Sequence, residues 1–155
     1  MTKVILNKGY GGFSISAQAH KLYAEKLGKE LFYYVGEITK YIDCKVQLIY
    51  TRVSYEEFLK KKTLFYFYSF KDLGDSLTEG EFAREKYDKY ELNLDESHRE
   101  DPILIEVVEE LSEEEASGRF STLKIVEIPD ELANGNYMID NYEGIEVLHA
   151  KVEEY

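Results

Sequence analysis

Lys3-Val4-Ile5-Leu6-Asn7-Lys8-Gly9-Tyr10-Gly11-Gly12-Phe13-Ser14-Ile15-Ser16 decides how the first part of this chain is organised. Val4-Ile5-Leu6 is a short apolar run ahead of turn residues, the pattern of a buried strand. Gly9, Gly11 and Gly12 end it. Ser14 or Ser16 then caps a helix running to about Leu27, with Gly28 as its stop. Ile15, Ala19, Leu22, Tyr23 and Leu27 recur at helical spacing and are expected on its core face.

A second island lies towards the other end. In Arg99-Glu100-Asp101-Pro102, Asp is a helix N-cap and Pro the first helical residue. Ile103, Leu104, Val107, Val108 and Leu111 form the apolar face of that helix, with Glu106, Glu109 and Glu110 opposite. Glu113-Glu114-Glu115 reads as a solvated helix end, opposed by the dipole there and expected to fray. Leu123 to Ile128 is a strand closed by Pro129-Asp130. Tyr137-Met138-Ile139 and Ile145-Glu146-Val147-Leu148 flank Asn141-Tyr142-Glu143-Gly144, a hairpin turn.

Between the islands the chain is rich in strand formers. Leu31–Val35 and Lys45–Thr51 read as strands, and Ser54–Leu59 carries a capping box ahead of a short helix. Leu64–Phe70 alternates Phe and Tyr, which puts Phe65 and Phe67 on one face and Tyr66 and Tyr68 on the other. Residues 71–100 are polar and read as a loop-rich excursion with a short strand near Tyr90–Leu92. Two prolines and no repeats argue against a flexible linker, so residues 1–155 are expected to form one domain. The class is α+β, with a mixed or mostly antiparallel sheet and two main helices, because a βαβ alternation is not sustained.

Composition narrows the function classes. The net charge of −12 argues against duplex nucleic acid, which needs a basic footprint, and against anionic membranes. No apolar run approaches a membrane span, and the N-terminus lacks the long apolar stretch of a signal peptide, so a cytoplasmic location is expected. The single cysteine, Cys44, excludes an internal disulfide and a multi-cysteine metal site. The 14 tyrosines and 8 phenylalanines supply either an aromatic core or flat contact surfaces with polar tips.

The residues that could carry binding are few. The Tyr10-Gly11-Gly12-Phe13-Ser14 turn, with Asn7 before it, offers successive backbone N–H groups to a phosphate or carboxylate. It is neither a Walker loop nor a dinucleotide fingerprint, and a tight strand-to-helix turn is its plain structural use. Arg99 precedes the second helix and Asp101 is best explained as its cap; Arg119 lies on a loop before a strand. Either guanidinium could fork onto a phosphate. Arg52 and Arg84 are weaker candidates. His20, His98 and His149 are scattered without metal-like spacing, so no metal, cofactor or catalytic residue is assigned.

The two islands resemble a group of small phage-encoded proteins, mostly of unassigned function. These carry Asn-Lys-x-Tyr-Gly-Gly-Phe-x-Leu-Ser after a strand, then Arg-x-Asp-Pro, a Leu-x-Ile-Val-Glu-Ile-Pro-Asp strand and a Tyr-Asp-Gly hairpin. Here the matching residues are Asn7 to Ser16 with Ile15 for Leu, Arg99 to Pro102, Leu123 to Asp130, and Tyr142-Glu143-Gly144. The middle diverges and a C-terminal tryptophan is missing. The resemblance implies a counter-defence protein in the host cytoplasm. Such a protein would sequester a nucleotide-type immune signal, a cyclic ADP-ribose isomer or a cyclic oligonucleotide, without turnover and as a homo-oligomer. An acidic inhibitor of a host protein is the alternative, and an enzyme degrading the signal a third.

Overall fold

The computed structural model describes residues 1–42, 45–61, 63, 65–78 and 89–150. Cys44 and Arg84 lie outside the described residues. The class is α+β, and every strand pairing among the described residues is antiparallel. The described strands form three small sheets instead of one. The chain divides into two compact units, Met1–Lys26 with Leu94–Tyr155, and Leu27–Asn93.

In the first unit, β1 (Thr2–Asn7) pairs with β6 (Leu123–Ile128), Val4 opposite Val126 and Asn7 opposite Leu123. Val4, Leu6, Ile128 and Leu148 form a buried cluster against which Val126, Leu132, Tyr137 and Ile139 pack. The helix α1 (Ala17–Lys26) packs on α3 (Pro102–Leu111), which buries Leu104, Ile105, Val107 and Val108. Asp101 caps α3 as expected: its Oδ1 accepts the Ile103 N–H at 2.9 Å, and its Oδ2 accepts the Tyr23 hydroxyl at 2.5 Å. Burial, with the Asp101 carboxylate beside it, pushes the Tyr23 phenol up.

The core face of α1 departs from the expected stripe. Ile15, Ala19 and Tyr23 are buried, but His20 and Ala24 join them, while Leu22 is only half-buried and Leu27 is exposed. The helix ends at Lys26, so Leu27 falls beyond its last turn. Ser16, not Ser14, is the cap: its Oγ accepts the Ala19 N–H at 3.1 Å. His20 Nδ1–H donates to the Ser16 carbonyl at 2.8 Å and its Nε2 accepts the Leu94 N–H at 3.3 Å. Burial lowers its pKa to about 4, so the ring is neutral near pH 7.

The acidic run after α3 is not a frayed end. Ser112, at φ 98°, breaks the helix, and its Oγ accepts the Glu115 N–H to start a short second turn, α4 (Glu113–Ala116). The three glutamates therefore sit at a helix start, where the dipole favours them. Glu113 also turns back and accepts the Ile125 N–H at 2.7 Å, which occupies a donor of β6. The hairpin β7 (Met138–Tyr142) and β8 (Ile145–His149) closes through Glu143-Gly144 at φ 52° and 98°, the positive values of a type I′ turn.

In the second unit, the sheet order is β4 (Tyr66–Ser69), β2 (Phe32–Ile42), β3 (Lys45–Val53), β5 (Ser76–Thr78). The strand β5 falls where a loop is expected. The helix α2 (Tyr55–Lys60) is capped by Ser54, as its sequence predicts. Both inner residues of the aromatic strand are buried, on opposite faces. Phe67 stacks on Tyr34 with centroids 4.8 Å apart, and Tyr68 packs with Tyr33 and with Phe58 of α2. The buried Tyr34 hydroxyl donates to the Gly74 carbonyl and accepts the Leu73 N–H. The returning chain at Tyr90–Leu92 bonds to Phe70 and Tyr68.

Candidate functional site

The weaker candidate Arg52 lies in the second unit, whereas Asn7, Tyr10–Ser14, Arg99, Asp101 and Arg119 all lie in the first, where the turn 9–14, the loop 118–122 and the hairpin 142–146 meet. Asn7 ties them together. Its buried side chain donates to the carbonyls of Gly9 (3.0 Å) and Gly144 (2.6 Å) and accepts the N–H groups of Gly9 (3.0 Å) and Thr122 (2.9 Å). Its own backbone N–H donates to Glu146 Oε1 at 2.8 Å. Every polar atom of this side chain is thereby occupied within the protein.

Arg99 is held in the same way. Its Nη1 and Nη2 donate to Oε1 and Oε2 of Glu146 at 3.1 and 3.0 Å, a bidentate pair with side chains only 11% and 6% exposed. The guanidinium also donates to the carbonyls of Ile5 and Glu96 and lies 5.2 Å over the Phe13 ring. The anion it binds in this structure is Glu146, and its own carbonyl accepts the Ile5 N–H. Arg99, Glu146 and Asn7 are thus the frame on which the loops are mounted, while Asp101 serves as the cap of α3.

Two glycines let the loops touch. A Cβ on Gly11 would stand 1.9 Å from the Phe120 carbonyl oxygen, and one on Gly144 would stand 2.6 Å from the Gly12 nitrogen. Ser14 fixes the same contact: its Oγ donates to the Arg119 carbonyl at 3.2 Å, and its carbonyl accepts from Gly118 N–H and the Ser121 hydroxyl. The expected anion turn is therefore clamped from both sides. Even so, the backbone N–H groups of Tyr10, Gly11, Phe13 and Ser14 donate to no group among the described residues.

The outer rim of the junction is aromatic. Tyr10, Phe120 and Tyr142 are 74%, 71% and 74% exposed, and the Tyr142–Gly144 turn abuts the backbone of Tyr10. Arg119 is exposed and its guanidinium lies 4.9 Å over the Phe120 ring. Among the arginines of the described residues it is the one without a carboxylate partner, since Arg99 and Arg52 are ion-paired. Tyr10, Arg119 and the turn are thus brought together at the surface, while Asn7 and Arg99 are held within the protein and Asp101 is committed to the start of α3. Phe120 and Tyr142 are additions from the structure. Their signal in the sequence is weak: each is an aromatic residue at a turn, outside any apolar run.

Two shallow depressions lie near the acidic run. A depression of about 440 Å³ is lined by Lys3, Val108, Glu109, Ser112, Glu113 and Ile125, and one of about 280 Å³ by residues that include Glu113 and Glu114. No cluster of three metal-ligating side chains occurs among the described residues, and no helix among them is long and apolar enough to cross a membrane. Comparison with family profiles, with curated proteins and with solved structures found no match.

Proposed function

We propose that this protein is a non-enzymatic binder that retains a small anionic, nucleotide-type ligand at the rim formed by Tyr10–Ser14, Arg119, Phe120 and Tyr142. The observation that carries the reading is the placement of Arg119. In a chain of net charge −12, this exposed guanidinium has no carboxylate partner among the described residues and stands over an aromatic ring, next to a turn whose N–H donors are uncommitted among those same residues. Guanidinium and backbone N–H groups are the usual partners of phosphate, and exposed aromatic rings are the usual partners of bases. The likeness to phage proteins makes cyclic ADP-ribose isomers and cyclic oligonucleotides the first compounds to test. Sequestration of such an immune signal is the role this assigns.

The test is native mass spectrometry of the full chain alone and with that panel, followed by heat release and chromatography. Retention with release of an unaltered molecule supports sequestration and gives the stoichiometry per protomer. Release of a chemically altered molecule makes the protein an enzyme, and no retention across the panel refutes the nucleotide reading. The second reading, an acidic inhibitor of a basic host protein, is favoured by the same net charge and by the open, uncovered form of the aromatic rim. It is recognised by a pull-down that weakens steeply with salt.

A further inference from the structure

Phe120 occupies its place at a structural disadvantage. Its φ of 69° lies in the left-handed region, which is unfavourable for a bulky residue and natural for glycine. Its ring is largely exposed, and the partner it meets is the guanidinium of its own neighbour, Arg119. Glycine at 120 would adopt the same backbone without strain and remove an exposed aromatic. The Phe120 backbone is packed closely against Gly11, where any side chain would strike its carbonyl. Strain kept together with an exposed apolar side chain is a mark of function rather than stability.

We infer that Phe120, with Arg119 stacked on it, is the platform on which the ligand's planar base lies. It is the residue that makes the site prefer a base-bearing phosphate ester over a bare sugar phosphate. The inference rests on the nucleotide-binding reading above. The guanidinium lies 4.9 Å from the ring centre, and Phe120, 71% exposed, keeps open ring surface for a base. A phosphate on Arg119 then lies within one side-chain length of that base, the spacing that a nucleotide supplies. Phe120 determines specificity here; the charge is supplied by Arg119 and the turn.

The test is isothermal titration of the full chain, wild type and Phe120→Gly, with cyclic ADP-ribose, cyclic di-AMP and ribose 5-phosphate. Thermal melts of both proteins and a Phe120→Tyr variant serve as controls. The wild type is expected to favour a base-bearing probe over ribose 5-phosphate. Phe120→Gly is expected to weaken that probe about tenfold to a hundredfold, the usual effect of losing one stacking partner. Its melting temperature should be equal or higher, and Phe120→Tyr should restore binding. Unchanged affinity of Phe120→Gly for a base-bearing probe that the wild type binds would overturn the platform and leave the nucleotide reading standing. A fall in melting temperature with Phe120→Gly would show a structural role and likewise overturn it. Failure of the wild type to bind any of the probes would overturn both.

Discussion

Glu146→Gln removes one charge from the most buried ion pair of the first unit and leaves its shape almost unchanged. The Arg99 guanidinium, 11% exposed, is then left without a counter-charge beneath the loops. One of its two carboxylate contacts becomes an N–H facing an N–H, and the acceptor shared with the Asn7 backbone is weakened. Removing one partner of a buried pair costs about 3–5 kcal/mol, because the remaining charge stays desolvated. For a domain whose total stability is about 5–15 kcal/mol, that is a large fraction. A loss of about 3 kcal/mol corresponds to a fall in melting temperature of roughly 6–12 °C for a chain of this size. The assay is urea and thermal unfolding followed by circular dichroism, since the protein has no tryptophan. Arg99→Met/Glu146→Leu, which removes both charges, should recover most of the loss. A Glu146→Gln protein as stable as wild type but unable to hold ligand would refute the reasoning, because Arg99 would then serve the ligand and not the frame.

Three further outcomes follow from the geometry. Because burial lowers the pKa of His20 to about 4 from an ordinary 6.5, the neutral ring's contribution is complete above pH 6.5 and is lost as the pH falls through about 4. Urea midpoints at pH 7 and pH 4 should therefore differ more for wild type than for His20→Gln, and equal differences would exclude His20 as the cause. Gly11→Ala places a methyl against the Phe120 carbonyl and should destabilise by about 1–3 kcal/mol, measured by urea unfolding; a neutral result would mean the loops do not touch. Glu143→Asn puts the preferred Asn-Gly pair into the type I′ turn and should stabilise by about 0.5–1 kcal/mol, read from the same unfolding curve; a loss would show that the hairpin turn differs from the one described.

Much of the fold was legible because local signals agree with their surroundings. Asp101-Pro102 and Ser54 announce helix starts that need only their own neighbours. Glu143-Gly144 announces a hairpin for the same reason. The misreadings come from side chains whose partners lie far along the chain. Nothing near Glu113 indicates that it will cap a donor on β6, so the acidic run looked like a solvated end. His20 reads as a stray histidine until Leu94 supplies a donor to its ring. Arg99 is the most instructive case. Its position before α3 suggests a phosphate ligand, yet the carboxylate that meets it sits 47 residues later on β8. Arg119 stands out only once the pairing of Arg52 and Arg99 is known.

The most direct test of the central claim compares ligand retention by the wild type and by Arg119→Gln in native mass spectra, with the immune-nucleotide panel present. Arg119 is exposed and bonded by its side chain to no carboxylate among the described residues, so the substitution should leave the melting temperature unchanged. The account predicts that the wild-type protein carries a nucleotide that leaves intact on heating, and that Arg119→Gln carries none. Equal retention by both proteins, or retention by neither, would contradict it.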